Sequence, residues 1–88
     1  MKVVESDIYL KWLSSLKDTK SRRAIDHKKD RIEQENYFGD CKNLGDGVSE
    51  LRFSGGAGHR IYYHIKDGKV YFLRGGDKSH QQSDINKT

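Results

Sequence analysis

Two runs of strict alternation, the second joined to a third strand by an Asp-Gly step, constrain this chain more than anything else in it. In VSELRF (48–53) and HRIYYHI (59–65), successive side chains must point to opposite sides of a sheet. One side then carries Leu51, Phe53, Ile61, Tyr63 and Ile65, and the other Glu50, Arg52, Arg60, Tyr62 and His64. Asp67-Gly68 between alternating segments is a hairpin signal, so residues 69–74 form the next strand. The apolar side can pack. The other side is too cationic to be a core and suits a phosphate.

The N-terminal half reads differently. Residues 2–5 hold two β-branched valines and fit a short edge strand. Ser6 or Asp7 can then cap a helix whose Tyr9, Trp12, Leu13 and Leu16 form one apolar stripe. Trp12 lies in mid-stripe and is read as core, not as a stacking platform for a base. Asp18 or Thr19 caps a second helix to about Glu35, with Ala24, Ile25 and Ile32 on its inner face. Lys29 interrupts that face, and a lysine there can bury its stem while its ammonium stays wet. Residues 36–47 are rich in turn formers and read as a loop. Gly75-Gly76 should break the last strand, after which Asp77 can cap a terminal helix. Helices followed by an antiparallel sheet describe a small α+β domain, with N-terminal helices on the sheet and a short C-terminal helix.

At 88 residues the chain is expected to form one domain over 1–88, and 33% hydrophobic content makes its core thin. Lysine and arginine number 17 against 13 acidic residues, a formal charge of +4 that favours a polyanionic or acidic partner. The single cysteine, Cys41, excludes an internal disulfide and fits a reducing compartment. No apolar run approaches the roughly 20 residues of a membrane span. The start, MKVVESD, lacks the apolar region of a secretory signal, so the expected location is the cytoplasm.

Metal chemistry is not expected, and neither is a cofactor. His27, His59, His64 and His80 show no HxH or HExxH spacing, and SGGAG at 54–58 lacks the GK[ST] ending of a P-loop. Taken singly, Glu50 with Arg52 could be only an ion pair and Tyr62 only a half-buried aromatic. Their convergence with GGDKSHQ, which brings Lys78, His80 and Gln81 toward the same sheet, favours a phosphate-handling site. Lys42, Tyr62, His64, His80 and Gln81 are the candidate substrate-binding residues. A base with several fixed cations is sufficient for RNA transesterification, because the 2′-hydroxyl is a built-in nucleophile.

The order KWLSSLKD, GDCKNLGDGVSELRF, GAGHRIYYHI and GGDKSHQQSDI, from about Ile8 to Ile85, resembles the HigB-type addiction-module killer proteins of the RelE/ParE toxin superfamily. That resemblance implies a compact α+β fold, with helices on one side of a twisted antiparallel sheet. It implies a toxin of a type II toxin–antitoxin pair, an endoribonuclease cutting mRNA on the ribosome. The toxin would act as a monomer and be silenced in a hetero-oligomer by a HigA-like helix-turn-helix antitoxin. It places the ELR motif on Glu50, Leu51 and Arg52, the arginine of the GYR motif on Arg60 and the GDK lysine on Lys78. Glu50, Arg52, Arg60 and Lys78 are thus the candidate catalytic residues: Glu50, or else His64 or His80, as base, and the three cations on the phosphorane. Arg74 stands where an apolar strand-end residue is usual. The competing implication is a non-enzymatic, ParE-like inhibitor of DNA gyrase; a third is an attenuated protein that only binds antitoxin or RNA.

Overall fold

A single five-stranded sheet, in the order β1-β5-β4-β3-β2, organises the computed structural model, which describes residues 1–53 and 58–77. The elements are β1 (Lys2–Glu5), α1 (Asp7–Ser15), α2 (Thr19–Glu35), β2 (Cys41–Gly45), β3 (Val48–Arg52), β4 (Arg60–Lys66) and β5 (Lys69–Gly76). Both helices pack on one side, α1 over β5 and α2 against β1. The α+β class is as expected, but the sheet is not wholly antiparallel. β1 runs parallel to β5, because the chain crosses over through both helices before the four later, successively antiparallel strands form.

The helices start where capping chemistry dictates. Ser6 Oγ accepts from the Tyr9 amide at 3.0 Å, and Asp18 accepts from the Lys20 amide at 3.1 Å and from Ser21 Oγ at 2.9 Å. The hydrogen bond from Ser21, followed by that from Lys20, holds the Asp18 carboxyl below the usual carboxylate range. α2 stops at Asn36, whose left-handed backbone (φ 55°) ends the helical run. Ile25 and Ile32 of α2 are buried as read, whereas Ala24 is exposed. Lys29 does more than keep its ammonium wet: it donates to Glu5 Oε1 at 2.9 Å and ties α2 to β1.

The segment read as a loop at 36–47 contains a strand. β2 is exposed along its whole length and so shows no apolar alternation, which is why its sequence looks like a loop. Its pairing with β3 is fixed by Asp46-Gly47, a two-residue turn with φ of 53° and 79°. Asp67-Gly68 repeats this device between β4 and β5, with φ of 53° and 75°. Positive φ at both central residues is the geometry that matches the twist of two joined strands.

Gly75-Gly76 does not break β5, which continues through both. The glycines serve packing instead. A methyl group built on Gly75 would overlap the indole of Trp12, so α1 can lie on the sheet only where β5 carries no side chain. Trp12 also meets the His59 ring edge-on, with centroids 5.8 Å apart, which puts His59 in packing on the helix side. Gly75→Ala should therefore lower stability by about 1–3 kcal/mol through overpacking. In a Trp12→Leu background the same change should cost much less, a difference that a double-mutant cycle of urea denaturation curves measures.

The core consists of Val3, Tyr9, Ile25, Ile32, Leu51, Ile61, Tyr63, Val70 and Phe72, with Trp12, Leu13, Leu16, Phe38 and Phe53 packed around it. Every member lies on the helix side. The opposite side of the sheet carries the charged residues, with Val48, Tyr62 and Tyr71 among them.

Candidate anion site on the open sheet face

Register, not sequence distance, assembles the second face. Residues directly opposite in an antiparallel pair share a side, so Lys42, Glu50, Tyr62 and Arg74 form one row across β2, β3, β4 and β5. The adjacent row places Arg52 opposite Arg60, followed by Gly76. A third row holds Val48, His64 and Tyr71. Like charges directly opposite one another are unfavourable. The Arg52–Arg60 pairing therefore needs negative charge nearby.

Glu50 supplies part of it. Its carboxylate is 0% exposed, and Arg52 Nε donates to its Oε1 at 2.9 Å. That hydrogen bond, reinforced by the charge of Glu50 and the more distant Asp40, raises the proton affinity of Arg52 above its ordinary value. The Arg52 side chain is 34% exposed, so the pair has a buried anionic end and a solvent-facing cationic end. The ion-pair reading and the site reading of Glu50–Arg52 thus describe one object, an arginine held in place by a carboxylate beneath it.

Arg60 is held in a different way. Its Nη1 donates to the backbone carbonyls of Gly58 and His59, both at 3.2 Å, and its buried Nε has no hydrogen-bond partner among the described residues. A guanidinium bound by neutral carbonyls keeps its full charge for an anion. Tyr62 is 6% exposed and fills the space between the Arg60 and His64 positions along β4. His64 Nδ1 lies 2.8 Å from the Gly47 carbonyl oxygen. A carbonyl only accepts, so Nδ1 carries the proton, and in the neutral ring Nε2 keeps a lone pair.

The structure brings Glu50, Arg52, Arg60, Tyr62, His64 and Lys42 to one face, with Lys42 exposed at its margin. It does not leave Glu50 and Tyr62 open to solvent as the alternation alone suggests: they are 0% and 6% exposed. Lys78, His80 and Gln81 lie outside the described residues. Cys41 pairs with Leu51 and so lies on the helix side, away from the arginines. There its thiol meets the Tyr63 hydroxyl, whose pKa burial and this contact push up to about 12.

One member of the face escapes the alternation rule. Val70 and Phe72 face the core, so strict period two would send Arg74 there too. Instead β5 carries one extra residue: Tyr63 pairs with Phe72 but Tyr62 pairs with Arg74, leaving Leu73 as a bulge. The bulge turns Arg74 to the face of Tyr62 and Gly75 to the face of Ile61. The sequence signal is a charged residue at a core-phase position of an otherwise regular strand.

Comparison with known proteins agrees with this architecture. The family model described as "Phage derived protein Gp49-like (DUF891)" matches residues 11–88. An uncharacterized protein of Haemophilus influenzae is 43% identical over 75 residues, spanning 84% of this chain and 75% of that protein. Among solved structures, the intact E. coli RelBE toxin–antitoxin complex superposes with a TM-score of 0.71 at 16% identity, covering 86% of this chain and 94% of that one. A mutant of E. coli toxin RelE in the free state gives 0.74 at 16%, covering 98% and 90%. The RelB–RelE antitoxin–toxin complex of Methanococcus jannaschii gives 0.74 at 13%, covering 96% of each chain. At such identities these structures establish a shared fold.

Proposed function

The chain belongs to the Gp49-like family of phage-derived proteins, and from that premise we propose that it is a RelE-type toxin of a type II toxin–antitoxin pair. The proposed activity is endoribonucleolytic cleavage of mRNA on the ribosome, in the cytoplasm, by one toxin domain spanning 1–88. The HigB-like motifs favour a HigA-like helix-turn-helix antitoxin as partner, and two of the structural neighbours are themselves toxins in complex with an antitoxin. The observation that carries this reading is the juxtaposition of Arg52 and Arg60 over a buried carboxylate.

In the proposed reaction the substrate's 2′-oxygen attacks the adjacent phosphorus and the 5′-oxygen leaves. The products are a 2′,3′-cyclic phosphate and a 5′-hydroxyl. Arg52, Arg60 and Lys78 balance the charge that builds on the phosphorane oxygens. Glu50 has no exposed surface with which to meet a substrate, so its role is to fix Arg52. Of the remaining candidate bases, His64 is oriented by Gly47 with Nε2 ready to take the 2′ proton, and His80 follows Lys78 closely in sequence. No metal or cofactor is needed for this chemistry, because the nucleophile belongs to the substrate. Lys42 and Gln81 would line the path of the RNA, whereas Tyr62, 6% exposed, would support the face from beneath.

Primer extension on mRNA recovered after brief induction tests the proposal. Clustered new ends at reading-frame positions are the expected result; intact mRNA with growth arrest would overturn the nuclease reading. The burial of Glu50 favours one second reading, since a ParE-like gyrase inhibitor needs no carboxylate in contact with a substrate. Cleaved DNA trapped on gyrase would identify that activity.

A further inference from the structure

We propose that Arg74 is a third phosphate-binding arginine of this site, aimed there by the bulge at Leu73. The inference rests on the RNA-directed reading above, but it concerns a residue that is absent from the catalytic and substrate-binding candidates read from the sequence.

The case begins with the backbone. Val70 and Phe72 face the core, and a regular strand would bring Arg74 down beneath α1 among buried side chains. An unpaired guanidinium there would be costly. The extra residue at Leu73 reverses the phase, so that Arg74 stands beside Tyr62 in the row that also contains Glu50 and Lys42. Arg60 is opposite Gly76, two residues further along β5, which makes Arg74 its diagonal neighbour. Diagonal neighbours in an antiparallel pair are within reach of each other's long side chains. Gly76 adds no side chain between them.

The bulge is held from the helix side. Ser6 Oγ donates to the Leu73 carbonyl oxygen at 2.7 Å while it accepts from the Tyr9 amide, and the Ser6 amide donates to the Phe72 carbonyl at 3.1 Å. The carbonyl at the irregular residue is therefore satisfied by the residue that caps α1. Bulges beside functional sites commonly re-aim one side chain. This one delivers a cation to a face that already holds two facing arginines and a lysine around one buried carboxylate, Glu50, so positive charge outnumbers negative there and the face attracts an anion. The backbone of single-stranded RNA offers such anions at regular spacing.

The test uses the full chain and a single-stranded 2′-O-methyl oligonucleotide, which binds like RNA but lacks the nucleophile. Anisotropy titrations at several salt concentrations give the slope of log K against log salt. Arg74→Gln should reduce that slope by about 0.7, the loss of one phosphate contact on a single strand, and weaken binding several-fold. Lys20→Gln, an equal charge change on the exposed surface of α2, should leave the slope unchanged. Should the glutamine variant fail to fold, Arg74→Met, similar in length and compatible with a half-buried slot, reads the same slope. A wild-type slope in the folded Arg74 variant, or an equal loss in Lys20→Gln, overturns the assignment of Arg74. Normal binding without any mRNA cleavage in cells sinks the nuclease reading but leaves Arg74 standing. No salt-dependent binding by the wild-type chain overturns both.

Discussion

Cells expressing the Arg60→Ala variant should continue to divide at inducer levels at which the wild-type chain arrests growth. Among the described residues Arg60 is the one arginine of the facing pair without a carboxylate partner, and its Nη1 is held by neutral carbonyls at 3.2 Å. Its charge is therefore the more available of the two to a phosphorane. Removal of one preorganised donor to a developing negative charge typically costs about 10²–10³ in rate. Cleavage rates measured in a translation extract at equal toxin concentration check the size of the loss. Pull-down of the co-expressed antitoxin, together with thermal unfolding, separates it from misfolding. Full toxicity of a soluble Arg60→Ala protein would remove Arg60 from the site.

The largest loss of stability is expected at Phe72. This ring is buried on β5, between the β1 and β4 partners Glu5 and Tyr63, and meets Tyr9 edge-on with centroids 5.1 Å apart. Phe72→Ala removes the side chain on which the α1 stripe closes and leaves a cavity among Tyr9, Val70 and Ile61. Such truncations cost about 3–5 kcal/mol. A small domain has about 5–15 kcal/mol in total, and a core this thin belongs at the low end of that range. The variant should therefore be largely unfolded near 37 °C and show a much lower urea midpoint by circular dichroism. A shift below about 1 kcal/mol would mean that the sheet and helices are held together elsewhere.

Most of the sheet was legible because its signals are local. VSELRF and HRIYYHI state their faces residue by residue, and Asp67-Gly68 states its turn type. Tyr9, Trp12 and Leu13 state the inner stripe of α1. β2 was hidden because an edge strand exposed on both faces has no reason to alternate, although Asp46-Gly47 carried the same hairpin signal as the later turn. The parallel pairing of β1 with β5 depends on a contact about 67 residues distant in sequence, which no short window contains. At the candidate site the faces of Glu50, Arg52, Arg60, Tyr62 and His64 were readable. The depth of Glu50 was not, because burial on that side depends on side-chain placement, such as that of Arg52 against Glu50, which alternation does not encode. The face of Arg74 was not readable for a more basic reason: period two fails at a bulge, and only pairing with Tyr62 shows where the count slips.

The contact of Trp12 with Gly75 also links the two sides of the sheet. Gly75 is flanked by Arg74 and Gly76, both turned to the cationic side, so the indole works as a backstop for the strand segment that frames the arginines. Loosening α1 would let that segment drift even with every charged group intact. Damage to this remote helix would then mimic a defect in chemistry, and only the spacing of the guanidinium groups would tell the two apart.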